Sequence, residues 1–251
     1  MRGPLSYIGG KNRLAKTIIA LIPPHKTYIE PFFGGGQVLF HKEPSEVEIV
    51  NDLSHEIVNF FRICQHHYQE LVRYLEYTII SRHWFELYKN MNPEGLTDVQ
   101  RAARFFYLQK NSFGGLINNR HTKLTVEHTP NFNPAQVPQL LEQTHQRLQR
   151  VQIECLPYQE ILARCDRPET FFYLDPPYWN KKLYEFNFSA KDFNELAQLL
   201  KDLKGQFILS LNDVPEVREI FSGFHIQPVS LAYSAANPRG RRYAEVLITN
   251  F

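Results

Sequence analysis

Thr170-Phe-Phe-Tyr-Leu-Asp175-Pro176-Pro177-Tyr178-Trp179 is the stretch on which the reading of this chain turns. A run of apolar and aromatic residues that stops abruptly at an acid and two prolines has the length and composition of a buried strand. Its end delivers a carboxylate to the carboxyl edge of a sheet, where α/β proteins bind their ligands. Proline has no N–H and a fixed φ, so the chain leaves the ladder at Pro176, whose carbonyl can then face a cleft. Asp175 and that carbonyl form two adjacent acceptors, matched to the two N–H bonds of an exocyclic amine on a nucleobase. Tyr178 adds a ring face on which a planar base can stack. The plainer alternative is a strand ending in an Asp-Pro turn, with Tyr178 packed as core.

Working outward, Thr27-Tyr-Ile-Glu30-Pro31-Phe32-Phe33-Gly34-Gly35-Gly36-Gln37 reads as a short strand, a glycine loop and the start of an apolar helix. It has the form of a first βα turn in a nucleotide-binding sheet, without the dinucleotide fingerprint or a P-loop lysine. Glu30 at the strand end places negative charge beside the loop, which suits a sulfonium or ammonium better than a phosphate. A second strand, Val47–Val50, ends in Asn51-Asp52. An acid at that distance from the glycine loop is placed to accept the hydroxyls of a ribose. Asp52 or Ser54 can equally cap the helix that carries Ile57, Val58, Phe60 and Phe61.

At the amino terminus, Tyr7-Ile-Gly9-Gly10-Lys11 precedes a helix carrying Leu14, Ile18, Ile19 and Ile22 and ended by Pro23-Pro24. Glycines before a helix let a ligand approach backbone N–H groups, and Lys11 adds a cation there. A glycine turn with a solvated lysine is the commoner outcome of such a triplet.

From about residue 67 to 150 the strand-helix rhythm stops. Helices are expected at Gln69–Thr78, Trp84–Met91, Asp98–Lys110 and Pro138–Gln149, which together read as an inserted lobe. Between Val99 and Val126 there is no acid, while Arg101, Arg104, Lys110, Arg120 and Lys123 interleave with aromatics. The aromatics at 105–107 are expected in the helix core. The polar loop holding Phe113, Asn118, Arg120 and Lys123 is the better candidate contact for phosphates and bases.

The sheet then resumes at Val151–Cys155 and at the Asp-Pro-Pro strand. An amphipathic helix over Asp192–Leu203 leads to a strand at Phe207–Leu211, and two last strands near His225–Leu231 and Tyr243–Thr249 flank an arginine-rich tip. Arg239 and Arg241 on that tip either touch phosphate or lie solvated.

Composition sets the outer limits. With 251 residues, 43% of them hydrophobic, and no run near the ~18 apolar residues of a membrane span, a soluble protein of one or two domains is expected. No signal peptide is visible. Cys64, Cys155 and Cys165 are odd in number and lack metal-ligand spacing, so a reducing cytoplasm and no metal site are expected. A net charge of +2 is too small to indicate nucleic-acid binding by itself.

Tyr7-Ile-Gly-Gly-Lys11, Glu30-Pro-Phe-Phe-Gly-Gly-Gly, Asp52 and Asp175-Pro-Pro-Tyr178, in this order, resemble the S-adenosylmethionine-dependent DNA adenine methyltransferases of the Dam type, in their alpha arrangement. The resemblance extends across most of the chain. It implies a Rossmann-like α/β fold with a seven-stranded, mostly parallel sheet and a reversed last strand. Residues 1–66 and 151–251 would form the S-adenosylmethionine-binding catalytic domain, with 67–150 a helical target-recognition domain inserted before the catalytic strand.

Tyr7, Lys11, Glu30, Pro31, Phe32, Gly34, Gly36, Asp52 and Asp175 would line the cofactor site. Asp175, Pro176 and Tyr178 would hold the N6 amine of an adenine flipped out of duplex DNA. Lys110, Phe113, Asn118, Arg120, Lys123, Arg239 and Arg241 would contact the DNA, and a restriction endonuclease acting on the same site is the implied partner. Where many members read aromatic-Asn-Gly-Leu-x-Arg, this chain reads Phe113-Gly-Gly-Leu-Ile-Asn118, so two polar side chains available elsewhere for base reading are absent or altered.

The rivals are an RNA or protein-amide methyltransferase, which more often carries Asn before Pro-Pro-Tyr, and a cytosine amino methyltransferase, where Ser usually stands. A cofactor-binding, DNA-binding regulator without turnover is the rival from another class.

Overall fold

The computed structural model describes residues 1–7, 11–112, 122, 132–182, 184–230 and 244–251. Seven strands, β1 (Thr27–Glu30), β2 (Val47–Asn51), β3 (Val151–Glu154), β4 (Thr170–Leu174), β5 (Gln206–Asn212), β6 (His225–Ser230) and β7 (Ala244–Thr249), form one sheet. Their order across it is β3-β2-β1-β4-β5-β7-β6. The pairs β1–β2, β1–β4, β2–β3 and β4–β5 are parallel, and β7 runs antiparallel to both β5 and β6. The expected sheet with one reversed strand is therefore present, and the reversed strand lies between β5 and β6. Strand order switches direction between β1 and β4, which opens a crevice at their carboxyl ends, beside Glu30 and Asp175.

Alternation along each strand divides the core into two layers. Phe171 and Tyr173 of β4, Tyr28 of β1, Ile208 of β5 and Leu247 of β7 face one layer. Phe172, Leu174, Ile29, Leu209, Leu211, Val246 and Ile248 face the other. The first layer is roofed by α1 (Ala15–Leu21), α3 (His55–His66), α4 (Tyr68–Leu75), α5 (Arg82–Asn90), α6 (Asp98–Asn111) and α7 (Val137–Leu148). α2 (Gln37–His41) adds Val38, Leu39 and Phe40 to it. The second layer is covered by α8 (Tyr158–Cys165), α9 (Ala190–Lys201) and α10 (Pro215–Ile220).

The four helices expected between 67 and 150 are present with ends shifted by a few residues. Phe105, Phe106 and Tyr107 are buried as expected, and the rings of Phe60 and Phe106 stack at 5.6 Å, joining α3 to α6. A capping box of Thr97 and Gln100 starts α6. The helices of this segment share one apolar cluster with the sheet.

Candidate active site

Strand parity builds the site. Asp175 continues β4 one step past Leu174, so it has the parity of Phe171 and Tyr173 and turns toward the first core layer. Ser210 of β5 and Glu245 of β7 share that face, and register sets Glu245 opposite Asn212 at the carboxyl end of β5. The three side chains thereby converge, although 70 residues of chain separate the outer two.

Lys11 completes the group. Its ammonium, 4% exposed, donates to Asp175 Oδ1 at 2.7 Å, to Asp175 Oδ2 at 2.9 Å and to the Tyr178 hydroxyl at 2.6 Å. It also lies 4.7 Å from the centre of the Tyr178 ring. Ser210 Oγ donates to Asp175 Oδ1 at 3.0 Å and stands 3.0 Å from the Tyr173 hydroxyl, which is left to donate to it. Glu245 Oε2 is 3.9 Å from Lys11 Nζ.

Burial raises the Tyr173 and Tyr178 hydroxyls well above the ordinary tyrosine range, and Asp175 pushes them further, so both stay protonated. The turn after Asp175 is pinned by Asn212, whose Oδ1 accepts from Trp179 N at 2.9 Å and whose Nδ2 donates to Trp179 O at 3.3 Å.

Asp175 forms part of the wall of a cavity of about 310 Å³. Tyr7, Lys11, Glu30, Pro31, Phe32, Gly34, Gly36 and Asp52 line it as well, so all nine positions expected around one ligand are brought together. Pro176 is buried and outside the lining, which passes from Asp175 to Pro177. Tyr178 sits beside the lining with its ring and hydroxyl engaged by Lys11. The open ring face expected there is thus held by a cation in this structure.

The glycine loop is shaped by its lack of side chains. Gly34 and Gly36 have φ of 49° and 63°. A Cβ on Gly36 would stand 2.5 Å from the Phe33 ring, and one on Gly34 would stand 3.1 Å from the Tyr7 ring. Asp52 Oδ2 accepts from Gly34 N at 2.8 Å and Oδ1 from Ser54 N at 2.9 Å, so one carboxylate ties the loop to the start of α3. Ser54 is the cap residue of that helix by position but makes no side-chain cap bond. Its Oγ instead donates to Glu185 Oε2 at 3.1 Å across the cavity.

Two acids depart from the charge expected of them. Glu30 is 2% exposed, and burial pushes its carboxyl up to about 8 against the hydrogen bonds from Tyr28 and Leu39, so near neutrality it is mostly protonated. The full negative charge expected beside the loop is absent at that pH because water is excluded. Asp52 is raised by burial to about 6, and its backbone donors only partly offset this.

At the far end of the cavity Phe32, Tyr158 and Phe188 form an aromatic slot, with ring centres 5.2 Å apart for Phe32 and Tyr158 and 5.7 Å for Phe32 and Phe188. The Tyr158 hydroxyl is buried there with no hydrogen-bond partner among the described residues. Tyr184 stacks on Tyr7 at 6.2 Å.

Of the positions expected to meet a polyanion, only Lys110 is described. It ends α6 with its ammonium 5.3 Å from the centre of the Phe106 ring, and burial lowers it to about 8. Arg101 and Arg104, counted in the same basic stretch, are drawn inward to Glu56, and Arg104 also donates to Tyr88 O at 2.7 Å. Phe113, Asn118, Arg120, Lys123, Arg239 and Arg241 lie outside the described residues. Ser210, Asn212, Glu245, Tyr158 and Tyr184 were not read from the sequence. A lone serine in Phe207-Ile-Leu-Ser210-Leu and a lone acid in Ala244-Glu-Val-Leu-Ile were the available signals.

Comparison with known proteins agrees with this geometry. Residues 7–235 match the family described as D12 class N6 adenine-specific DNA methyltransferase. A type II methyltransferase of Lactococcus lactis subsp. cremoris is 26% identical, over 98% of this chain and 94% of its own length. Another type II methyltransferase, from Methanocaldococcus jannaschii, is 27% identical over 98% of each. The DNA adenine methylase of Vibrio cholerae is 24% identical over 100% of this chain and 96% of its own length.

Proposed function

The chain belongs to the D12 class of N6 adenine-specific DNA methyltransferases, and from that membership we propose how its residues divide the work of methylation. The enzyme transfers a methyl group from S-adenosylmethionine to the N6 amine of adenine in DNA.

The residues present fit that donor. With Glu30 largely protonated, Asp52, Asp175, Glu185 and Asp192 still outnumber Lys11 in the lining, an acidic surplus suited to a molecule carrying a sulfonium and an ammonium. The glycine loop admits close approach, and Phe32, Tyr158 and Phe188 offer an apolar slot with one unsatisfied hydroxyl for a purine. In this reading Tyr7, Lys11, Glu30, Pro31, Phe32, Gly34, Gly36, Asp52 and Asp175 hold the donor. When bound, it supplies an electrophilic methyl on a positively charged sulfur.

The observation that carries the catalytic reading is the Asp175 carboxylate, held at the cavity wall by Ser210 and already bearing an N–H donor from Lys11. In this reading the Lys11 ammonium occupies the acceptor that the amine nitrogen would need. The adenine amine is a poor nucleophile because its lone pair is delocalised into the ring. Asp175 and the Pro176 carbonyl accept its two N–H bonds, draw the nitrogen toward tetrahedral geometry and offset the positive charge it acquires. The amine is buried in the base stack, so the base must be flipped out, at a cost of a few kcal/mol. Tyr178 repays part of this by stacking once Lys11 vacates its ring.

Lys110, Phe113, Asn118, Arg120 and Lys123, in the target-recognition segment 67–150, are assigned to DNA contact, as are Arg239 and Arg241. The catalytic body is then 1–66 with 151–251. A companion endonuclease that cuts the same site, suggested by the type II names of two relatives, would be tested by whether DNA from expressing cells resists it. Among the described residues no helix is long and apolar enough to cross a membrane, and a cytoplasmic location accords with that.

The decisive variant is Asp175→Asn, which keeps shape and removes charge. Single-turnover transfer to duplex DNA should fall by about 10²- to 10³-fold or more, with folding intact by circular dichroism. A rate within a few-fold of wild type would remove Asp175 from its role.

A further inference from the structure

Lys11 presents three N–H bonds to three acceptors: Asp175 Oδ1, Asp175 Oδ2 and the Tyr178 hydroxyl. A fourth oxygen lies just out of reach. Glu245 Oε2 is 3.9 Å from the ammonium, buried, and has no hydrogen-bond partner among the described residues. Leaving a buried carboxylate oxygen without a donor is costly, so Oε2 is an acceptor available to a nearby cation. Moving Nζ by about 1 Å toward β7 would bring it to ordinary charge-assisted hydrogen-bond distance from Oε2. The Tyr178 hydroxyl accepts from Lys11, and the Glu245 carboxylate is near enough to help hold that hydroxyl protonated.

We propose that Glu245 is a positioning residue for methyl transfer, receiving the Lys11 ammonium when Asp175 turns its oxygens to the adenine amine. The proposal rests on the assignment of Asp175 to that amine. With Lys11 clamped, Oδ1 carries donors from Lys11 and Ser210 and Oδ2 carries one from Lys11, so the amine must compete for the same lone pairs. A positive charge growing on the amine nitrogen would also face an ammonium on the same carboxylate. Shifting Lys11 to Glu245 removes both conflicts, satisfies the orphaned oxygen and uncovers the Tyr178 ring. No covalent bond forms or breaks in this exchange, and the proton stays on lysine.

Glu245 is not among the residues lining the cavity, which separates its effect from donor binding. The test uses the full chain, duplex DNA containing adenine and radiolabelled S-adenosylmethionine, with S-adenosylhomocysteine as the binding probe. Glu245→Gln should slow single-turnover transfer on the order of 10- to 100-fold, with the loss in kcat rather than in the KM for DNA. Affinity for S-adenosylhomocysteine should stay within about threefold of wild type, and the melting temperature should not fall, because a buried charge is being removed.

The Lys11→Met, Glu245→Gln double variant should transfer at the rate of Lys11→Met alone, since Glu245 acts through Lys11. Glu245→Asp, whose acceptor recedes by one methylene, should fall between wild type and Gln, and it replaces the Gln variant should that one fail to fold. A wild-type rate in Glu245→Gln, or losses that simply multiply in the double variant, overturn the proposal. A wild-type rate in Glu245→Gln beside an inactive Asp175→Asn sinks the exchange alone, whereas an active Asp175→Asn sinks the reading beneath it.

Discussion

A proton on Glu30 is the clearest consequence of burial at a single residue. Oε1 takes donors from the Tyr28 hydroxyl at 2.7 Å and Leu39 N at 2.8 Å, and Lys42 attracts its charge, yet exclusion of water outweighs all three. The folded protein therefore holds this proton up to about pH 8, whereas the unfolded chain releases it near 4.5. Between those values the folded state binds more protons, so stability falls as pH rises. The contribution is complete below about 4.5 and gone above about 8. Asp52 acts in the same direction over a lower range, from 3.8 to about 6. Glu30 should thus contribute to the slope between pH 6 and 8. In thermal melts of the ligand-free protein, Glu30→Gln, which fixes the neutral shape, should flatten the decline in that window; an unchanged slope would assign it to another group.

At the scale of the element, the glycine loop between β1 and α2 is set by backbone geometry. Gly36 occupies the left-handed region at φ 63° and caps α2, and a Cβ there would overlap the Phe33 ring at 2.5 Å. Gly36→Ala should cost about 2–4 kcal/mol by denaturant titration, from left-handed strain plus overpacking, and should weaken S-adenosylhomocysteine binding at least as much as it weakens folding. Binding that survives while stability drops would place the loop outside the donor site. The loop was legible because three glycines between a short strand and an apolar run leave few other readings. The Asp-Pro-Pro strand end was legible because proline cannot continue a ladder. α8 and α10, of eight and six residues, carry too few turns for periodicity to register. Ser210 and Glu245 were missed for another reason: each is one polar residue in an apolar strand, and only the pairing β4–β5–β7 brings them to Asp175. Periodicity gave the face of each strand, but neighbours in a sheet are a long-range property. The inward turn of Arg104 was not legible, because a basic stretch does not say which of its charges a nearby Glu56 will draw inward.

On the scale of the whole molecule, the segment 67–150 is joined to the sheet by charge as well as by apolar contact. Glu48 on β2, with a side chain 5% exposed, receives Lys42 Nζ at 2.7 Å on Oε1 and the guanidinium of Arg147, near the end of α7, on both oxygens. Arg147 also donates to Leu39 O at 3.0 Å, and Lys42 lies 4.3 Å from the centre of the Tyr28 ring. Burial pushes the Glu48 carboxyl up, but hydrogen bonds from Arg147 and Lys42 outweigh it and hold the group below its ordinary value. One carboxylate is therefore shared by two largely buried cations, Lys42 from ahead of the segment and Arg147 from within it. Glu48→Gln keeps the volume and leaves both cations uncompensated, so it should cost about 3–5 kcal/mol, read as a lower denaturant midpoint. Lys42→Met, Glu48→Leu and Arg147→Met made together should recover most of that loss, because the charges are then removed in company. Full stability in the single variant would mean that water reaches the triad and that apolar packing alone joins α7 to the sheet.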